Sequence, residues 1–215
     1  MLLELKRFEI PPGQTICLKD VTWDEFEQIL EELGDHRASR IAYHDHILEI
    51  MTPLPEHERN KEIISDLIKI LLEELDIEFC TLGSTTFKNE LMQQGIEPDN
   101  CFYIENEAKI RGKDRLDLTV DPPPDIALEI DVTSRTHREI YSILGVRELW
   151  RFEQGELEIN VLENGNYKAV VCSLYFPNFP LKKIIPCYLE KVKKIGRNKT
   201  IKEFRQWVNE QAKNL

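Results

Sequence analysis

At 215 residues and 41% hydrophobic content, the chain is long enough for one domain with a substantial core. Its 39 acidic against 28 basic side chains give a net charge of −11, which excludes a broadly basic nucleic-acid-binding surface but leaves room for a local patch. The longest apolar runs fall short of the roughly 18–20 residues of a membrane span, and charge follows Met1 closely where a signal peptide would be apolar, so a cytoplasmic location away from membranes is expected.

Thr22 offers an N-cap with Glu25 at the capping-box position, and Trp23, Phe26, Ile29, Leu30 and Leu33 recur at helical spacing. This predicts a first helix ending near Gly34. Residues 40–43 and 46–51, rich in β-branched and aromatic side chains around His44-Asp45, predict a β-hairpin. Pro53 and Pro55 close it, and the apolar stripe from His57 to Leu75 predicts a long helix that must pack on a sheet.

Strands are expected over 78–82, 100–104, 126–132, 148–152, 157–162 and 167–172, with Pro122-Pro123-Pro124 forcing an extended approach to the third of them. Residues 134–144 read as a helix ended by Gly145, which makes a βαβ unit with a locally parallel pair. The lysine-rich stretch 182–199 reads as a solvated loop and helix cap in preference to a DNA patch. Residues 200–215 predict an amphipathic helix presenting Ile201, Phe204, Trp207 and Val208. The five cysteines are scattered and never spaced CxxC, so reduced thiols are expected in place of a disulfide framework or a zinc site.

The chemistry is carried by carboxylates. Mg²⁺ prefers hard oxygen ligands and needs only two or three convergent carboxylates. Asp99, Asp125, Glu129 and Asp131 are the candidates. On a strand, Asp125, Glu129 and Asp131 share one face with the small Ala127, while Ile126, Leu128, Ile130 and Val132 take the other. Such alternation also suits the wet face of an amphipathic strand; the βαβ context favours a covered face and a metal site.

Three segments in order carry a resemblance: Gly95-Ile96-Glu97-Pro98-Asp99 with Asn100-Cys101-Phe102-Tyr103-Ile104; Pro123-Pro124-Asp125-Ile126-Ala127-Leu128-Glu129-Ile130; and Tyr141 with Leu144-Gly145-Val146-Arg147-Glu148-Leu149-Trp150-Arg151. Together they resemble the Uma-two family of restriction-endonuclease-like proteins, abundant in cyanobacteria, within the PD-(D/E)XK nuclease superfamily. The resemblance runs from about Thr22 to Phe152.

It implies a restriction-endonuclease-like α/β (α+β) fold: a mixed β-sheet flanked by helices, with an N-terminal helix and β-hairpin. A single domain over 1–215 is expected, with the family core at about 22–152 and C-terminal strands and helix over 153–215. It further implies Asp99 and Glu129 as ligands of Mg²⁺ (or Mn²⁺) in an endonuclease that hydrolyses phosphodiester bonds of nucleic acid, DNA in the first instance, with Asp131 as a further ligand. Glu58 stands where the superfamily often has another acidic residue, or is a helix-start carboxylate favoured by the dipole. The motif's Lys is replaced by Asp131, and many relatives carry a Lys at the position of His137. His137 is thus either an active-site residue or a capping residue.

Two readings stay open: an active endonuclease, expected as a homodimer because two strands need two sites, and a catalytically impaired nuclease-fold domain that binds nucleic acid or protein. No Gly-x-Ser-x-Gly elbow or Gly-rich phosphate loop supports nucleophile chemistry, and nothing specific favours a glycosidase.

Overall fold

The computed structural model describes residues 9–34, 39–83, 85–131 and 137–213. Within them the chain order is β1 (Thr15–Leu18), α1 (Trp23–Leu33), β2 (Arg40–His44), β3 (Ile47–Met51), α2 (Pro55–Glu74), β4 (Cys80–Thr81), β5 (Phe87–Asn89), β6 (Gln94–Ile96), β7 (Asn100–Tyr103) and α3 (Glu107–Ile110). There follow β8 (Ile126–Asp131), α4 (Arg138–Leu144), β9 (Glu148–Glu153), β10 (Glu156–Glu163), β11 (Asn166–Val170), α5 (Leu181–Ile195) and α6 (Arg197–Ala212).

The strands form two sheets. A five-stranded sheet has the order β1-β3-β2-β6-β5, and a six-stranded sheet has the order β11-β10-β9-β8-β7-β4. The second is mixed: β8 and β9 run parallel, and its other pairings are antiparallel. The expected hairpin is therefore part of a larger sheet of its own.

Strand alternation decides what packs where. On β8, Ile126, Leu128 and Ile130 join the core made with α2, α5 and α6, through side chains such as Ile64, Leu67, Ile185 and Phe204. Ala127 points the other way, into a core with Ile140, Tyr141 and Leu144 of α4 and with Phe87 and Ile96 of the five-stranded sheet. On the far side of that sheet, α1 buries Phe26 against Ile41, Tyr43, Leu48 and Ile50. The capping box at Thr22 forms, with Glu25 N–H donating to Thr22 Oγ1 and Thr22 N–H donating to Glu25 Oε2 at 2.8 Å.

Several expectations shift. The hairpin turn falls on Asp45-His46, one residue later than expected, because His44 pairs with Ile47 and both turn residues adopt positive φ. The 78–82 strand contracts to Cys80–Thr81. The 134–144 helix begins at Arg138, with His137 in a non-helical N-cap conformation; residues 134–136 lie outside the described residues. The segment read as a lysine-rich loop is helix α5, because Leu181, Ile185, Tyr188 and Leu189 bury at helical spacing despite Pro186. Its lysines form surface pairs, Lys191 with Glu203 and Lys193 with Glu190. Strands β1, β5 and β6 have no counterpart among the expected elements.

Candidate active site

The chain passes from one sheet to the other through Glu97-Pro98-Asp99, since β6 belongs to the five-stranded sheet and β7 to the six-stranded one. All three residues are buried. Asn100 pairs antiparallel with Leu128, so continuing the register by one step sets Asp99 beside Glu129. The two sheets thus meet at a pair of carboxyl groups.

Asp99 is held from three sides. Its Oδ2 accepts the Ile130 backbone N–H at 2.7 Å and faces His57 Nε2 at 2.9 Å. Its Oδ1 lies 3.5 Å from Arg40 Nε. Burial lowers the His57 pKa, but the hydrogen bonds to Asp99 and Glu58 outweigh it and lift the imidazole to about 9. Glu58 is held at about 2, first by His57 and then, against its burial, by Lys61.

Glu129 receives the hydroxyl hydrogen of Tyr141 on Oε1. Its pKa stands well above the usual carboxylate range, first through burial and then through the charge of Asp99; Asp131 adds to the rise, while the Tyr141 bond opposes it. In the absence of a cation, Glu129 is driven toward its protonated form, and it shares a hydrogen bond with Asp99.

Asp131, two residues along the same face, is buried and clasped by Arg151 through Nη2 and through Nε at 2.9 Å. Asp125 does not join this group. Its carboxylate closes the base of the preceding loop, between β7 and β8, accepting from Ile104 N–H at 2.6 Å, Asn106 N–H at 3.0 Å and Asn106 Nδ2 at 3.0 Å. Strand alternation sets its face, and these local donors satisfy its oxygens away from the other carboxylates.

One cleft is lined by Arg40, Glu49, Glu97, Asp99, Glu129, Asp131 and His137, among others. It lies between the sheets: Arg40, Ala42 and His44 occupy alternate positions of β2, and Glu49 pairs with Ala42. His137 Nε2 is 2.8 Å from Glu49 Oε2, and this hydrogen bond lowers the Glu49 pKa and raises that of His137. Glu58 is not among the lining residues; it contacts His57 and lies 3.6 Å from Arg40, and both of these in turn face Asp99.

Sequence reading singled out Asp99, Glu129, Asp131 and His137, and the fold brings all four to this cleft. It missed Arg40, His57, Glu97 and Glu49. Glu97 adjoins Asp99 in the chain and accepts from Thr86 Oγ1 at 2.5 Å; its place in the segment Glu97-Pro98-Asp99 was an available signal. Arg40 and His57 come from distant segments, and only tertiary closure sets them on Asp99.

The carboxyl pair suits a hard divalent cation. Glu129 and Asp99 offer oxygen donors, and their mutual repulsion in a buried setting is the strain that a bound cation relieves.

The fold is that of a nuclease-like protein: the crystal structure of "a putative nuclease belonging to DUF820" from Anabaena variabilis ATCC 29413 superposes with a TM-score of 0.55 at 14% identity, over 87% of this chain and 99% of that one. Among curated proteins, none matches the sequence. A family model, Uma2, described as "Putative restriction endonuclease", matches residues 23–190. That span holds every cleft residue named above, and the chain belongs to the Uma2 family of restriction-endonuclease-like proteins.

Proposed function

We propose that the protein is a divalent-metal-dependent endonuclease that hydrolyses phosphodiester bonds, with DNA as the substrate and Asp99 and Glu129 as the ligands of Mg²⁺ or Mn²⁺. The observation that carries this reading is the Asp99–Glu129 pair, two adjacent carboxyls in a cleft, one of them pushed toward protonation by burial and then by the charge of the other. A cation held there by Asp99 and Glu129 would supply Lewis-acid polarisation of a phosphoryl oxygen and a lowered pKa for a bound water, so that hydroxide is available as the nucleophile.

The surrounding side chains have separable tasks. Tyr141 orients Glu129, and the Ile130 N–H and His57 orient Asp99. Arg40 brings fixed positive charge to the cleft, the electrostatic part of what the motif's Lys would supply; a guanidinium does not take a proton, so it assists phosphate binding and not water activation. Asp131 flanks the site with its charge already offset by Arg151. A homodimer with two such clefts is the assembly that would cut both strands.

The test is nicking of supercoiled plasmid in Mg²⁺ or Mn²⁺. Cleavage should vanish with EDTA and in Asp99→Asn and Glu129→Gln, with circular dichroism unchanged. Undiminished cleavage in either variant sinks the assignment. One observation favours a second reading, a nuclease-fold domain that binds without cutting: the motif's Lys position holds Asp131, locked to Arg151. Metal binding with no cleavage of DNA or RNA would decide for it.

A further inference from the structure

We propose that His44, Glu49 and His137 form a second metal site, distinct from the oxygen-only carboxyl pair, which takes a zinc-type divalent ion and ties the β2–β3 hairpin to the start of α4. One ligand atom from each residue lies within 4.8 Å of the others. The two imidazole rings stand 4.5 Å apart at 44°, and Glu49 Oε2 already touches His137 Nε2 at 2.8 Å.

A His137–Glu49 hydrogen bond alone does not account for this arrangement. His44 Nε2 is buried and has no hydrogen-bond partner among the described residues, which is costly for a ring nitrogen unless something else occupies that direction. The opposite nitrogen, Nδ1, lies 3.7 Å from Asp45 Oδ2. That distance is an ion-pair contact longer than a hydrogen bond, and it leaves the inward Nε2 as the nitrogen placed to take an ion.

Two imidazoles and one carboxylate select a borderline ion over Mg²⁺, which prefers all-oxygen surroundings. Ligands at the usual zinc distances sit about 3.3 Å from one another, so small side-chain rotations close the triad. Three protein ligands leave one position open. Because Glu49 and His137 line the cleft, the ion would sit at its wall.

The placement follows from strand geometry. His44 and Glu49 lie on the inner face of the five-stranded sheet, in the rows of Ala42 and its partner, while His137 caps α4, which packs under the six-stranded sheet. The ion would therefore bridge the five-stranded sheet and the start of α4 across the cleft.

The experiment uses the full chain stripped with EDTA and titrated with Zn²⁺ alone by calorimetry, with Co²⁺ as a spectroscopic probe. The proposal expects one Zn²⁺ per chain bound in this site, visible d–d bands of nitrogen-ligated Co²⁺, and a Zn²⁺-dependent rise in melting temperature. His44→Gln and His137→Gln should each weaken Zn²⁺ by about tenfold to a hundredfold or more, whereas Asp99→Asn and Glu129→Gln should retain it. Should His137→Gln not fold, Glu49→Gln is read in its place. Absence of Zn²⁺ binding below millimolar concentration, or loss of binding in Asp99→Asn or Glu129→Gln with none in His44→Gln, overturns the proposal. No arm reads nucleic-acid cleavage, so its failure and that of the nuclease assignment are separable.

Discussion

The backbone N–H of Ile130 donates to Asp99 Oδ2 at 2.7 Å. The strand that carries Glu129 thereby also fixes the carboxylate opposite it, and the two acids cannot drift apart without breaking this backbone-to-side-chain hydrogen bond. Asp99 is tied to cationic neighbours, His57 and Arg40, whereas Glu129 is crowded by carboxylates. Their substitutions should therefore move stability in opposite directions.

In EDTA, Glu129→Gln is expected to raise the unfolding free energy by about 1–2 kcal/mol, since it removes a carboxyl whose ionised form the fold disfavours. Asp99→Ala is expected to lower it by about 3–5 kcal/mol, by removing the buried anion that His57 and Arg40 both face, a loss that the half-exposed Glu58 offsets only in part. Urea denaturation at neutral pH measures both. A destabilised Glu129→Gln would mean that its bond with Tyr141 outweighs the repulsion.

Asp131 and Arg151 form a buried pair on neighbouring parallel strands. Replacing Asp131 by Asn alone should cost about 3–5 kcal/mol, because the guanidinium keeps its burial and loses its main partner; Glu153 and Glu158, each 3.3 Å away, recover part of this. The double variant Asp131→Asn/Arg151→Met should be less destabilised than the sum of the two single changes. A double-mutant cycle from chemical denaturation gives the coupling, and additivity would show the pair to be inert.

Glu148, the first residue of β9, is buried and accepts from Trp150 Nε1 at 2.6 Å and Ser173 Oγ at 2.8 Å, and from the Leu174 N–H. Burial nonetheless raises its pKa above the ordinary value of 4.5. Between that value and the raised one the folded chain holds a proton that the unfolded chain has released, so this group's contribution to stability falls as pH rises through the window. Glu148→Gln lacks that slope. The stability of Glu148→Gln minus that of wild type should grow from pH 4.5 upward and then level off; a pH-independent difference would refute the assignment.

Gly95 on β6 has no room for a side chain, since a Cβ there would meet Phe26 Cζ at 2.8 Å. Phe26 cannot easily retreat, being stacked on Tyr43 with ring centroids 4.6 Å apart. Gly95→Ala should cost about 1–3 kcal/mol by overpacking, and Gly95→Ala/Phe26→Leu should recover part of the loss. Thermal unfolding of the two variants checks this.

The long-range order of the site explains what could be read in the sequence. Helix α2 and strand β8 announce themselves through repeated apolar positions, and the spacing of Glu129 and Asp131 on one face follows from the strand period. Strands β5 and β6, with 3 residues each, are too short for an alternation to show. Helix α5 was hidden by its lysines and by Pro186, although Leu181, Ile185 and Leu189 keep helical spacing. Arg40 and His57 gain meaning only through contact with Asp99, which lies 59 and 42 positions further along the chain. No local pattern marks such a contact.

The clip that Asp125 makes to Ile104 and Asn106 has a consequence for how the chain tolerates change. It ties the two ends of the excursion between β7 and β8 together just outside the paired strands, so the spacing of Asp99 and Glu129 is insulated from the length of chain in between. Residues 111–115 at its tip are exposed. A reporter peptide spliced after Gly112 would ride on the surface while the register beneath it stays in place.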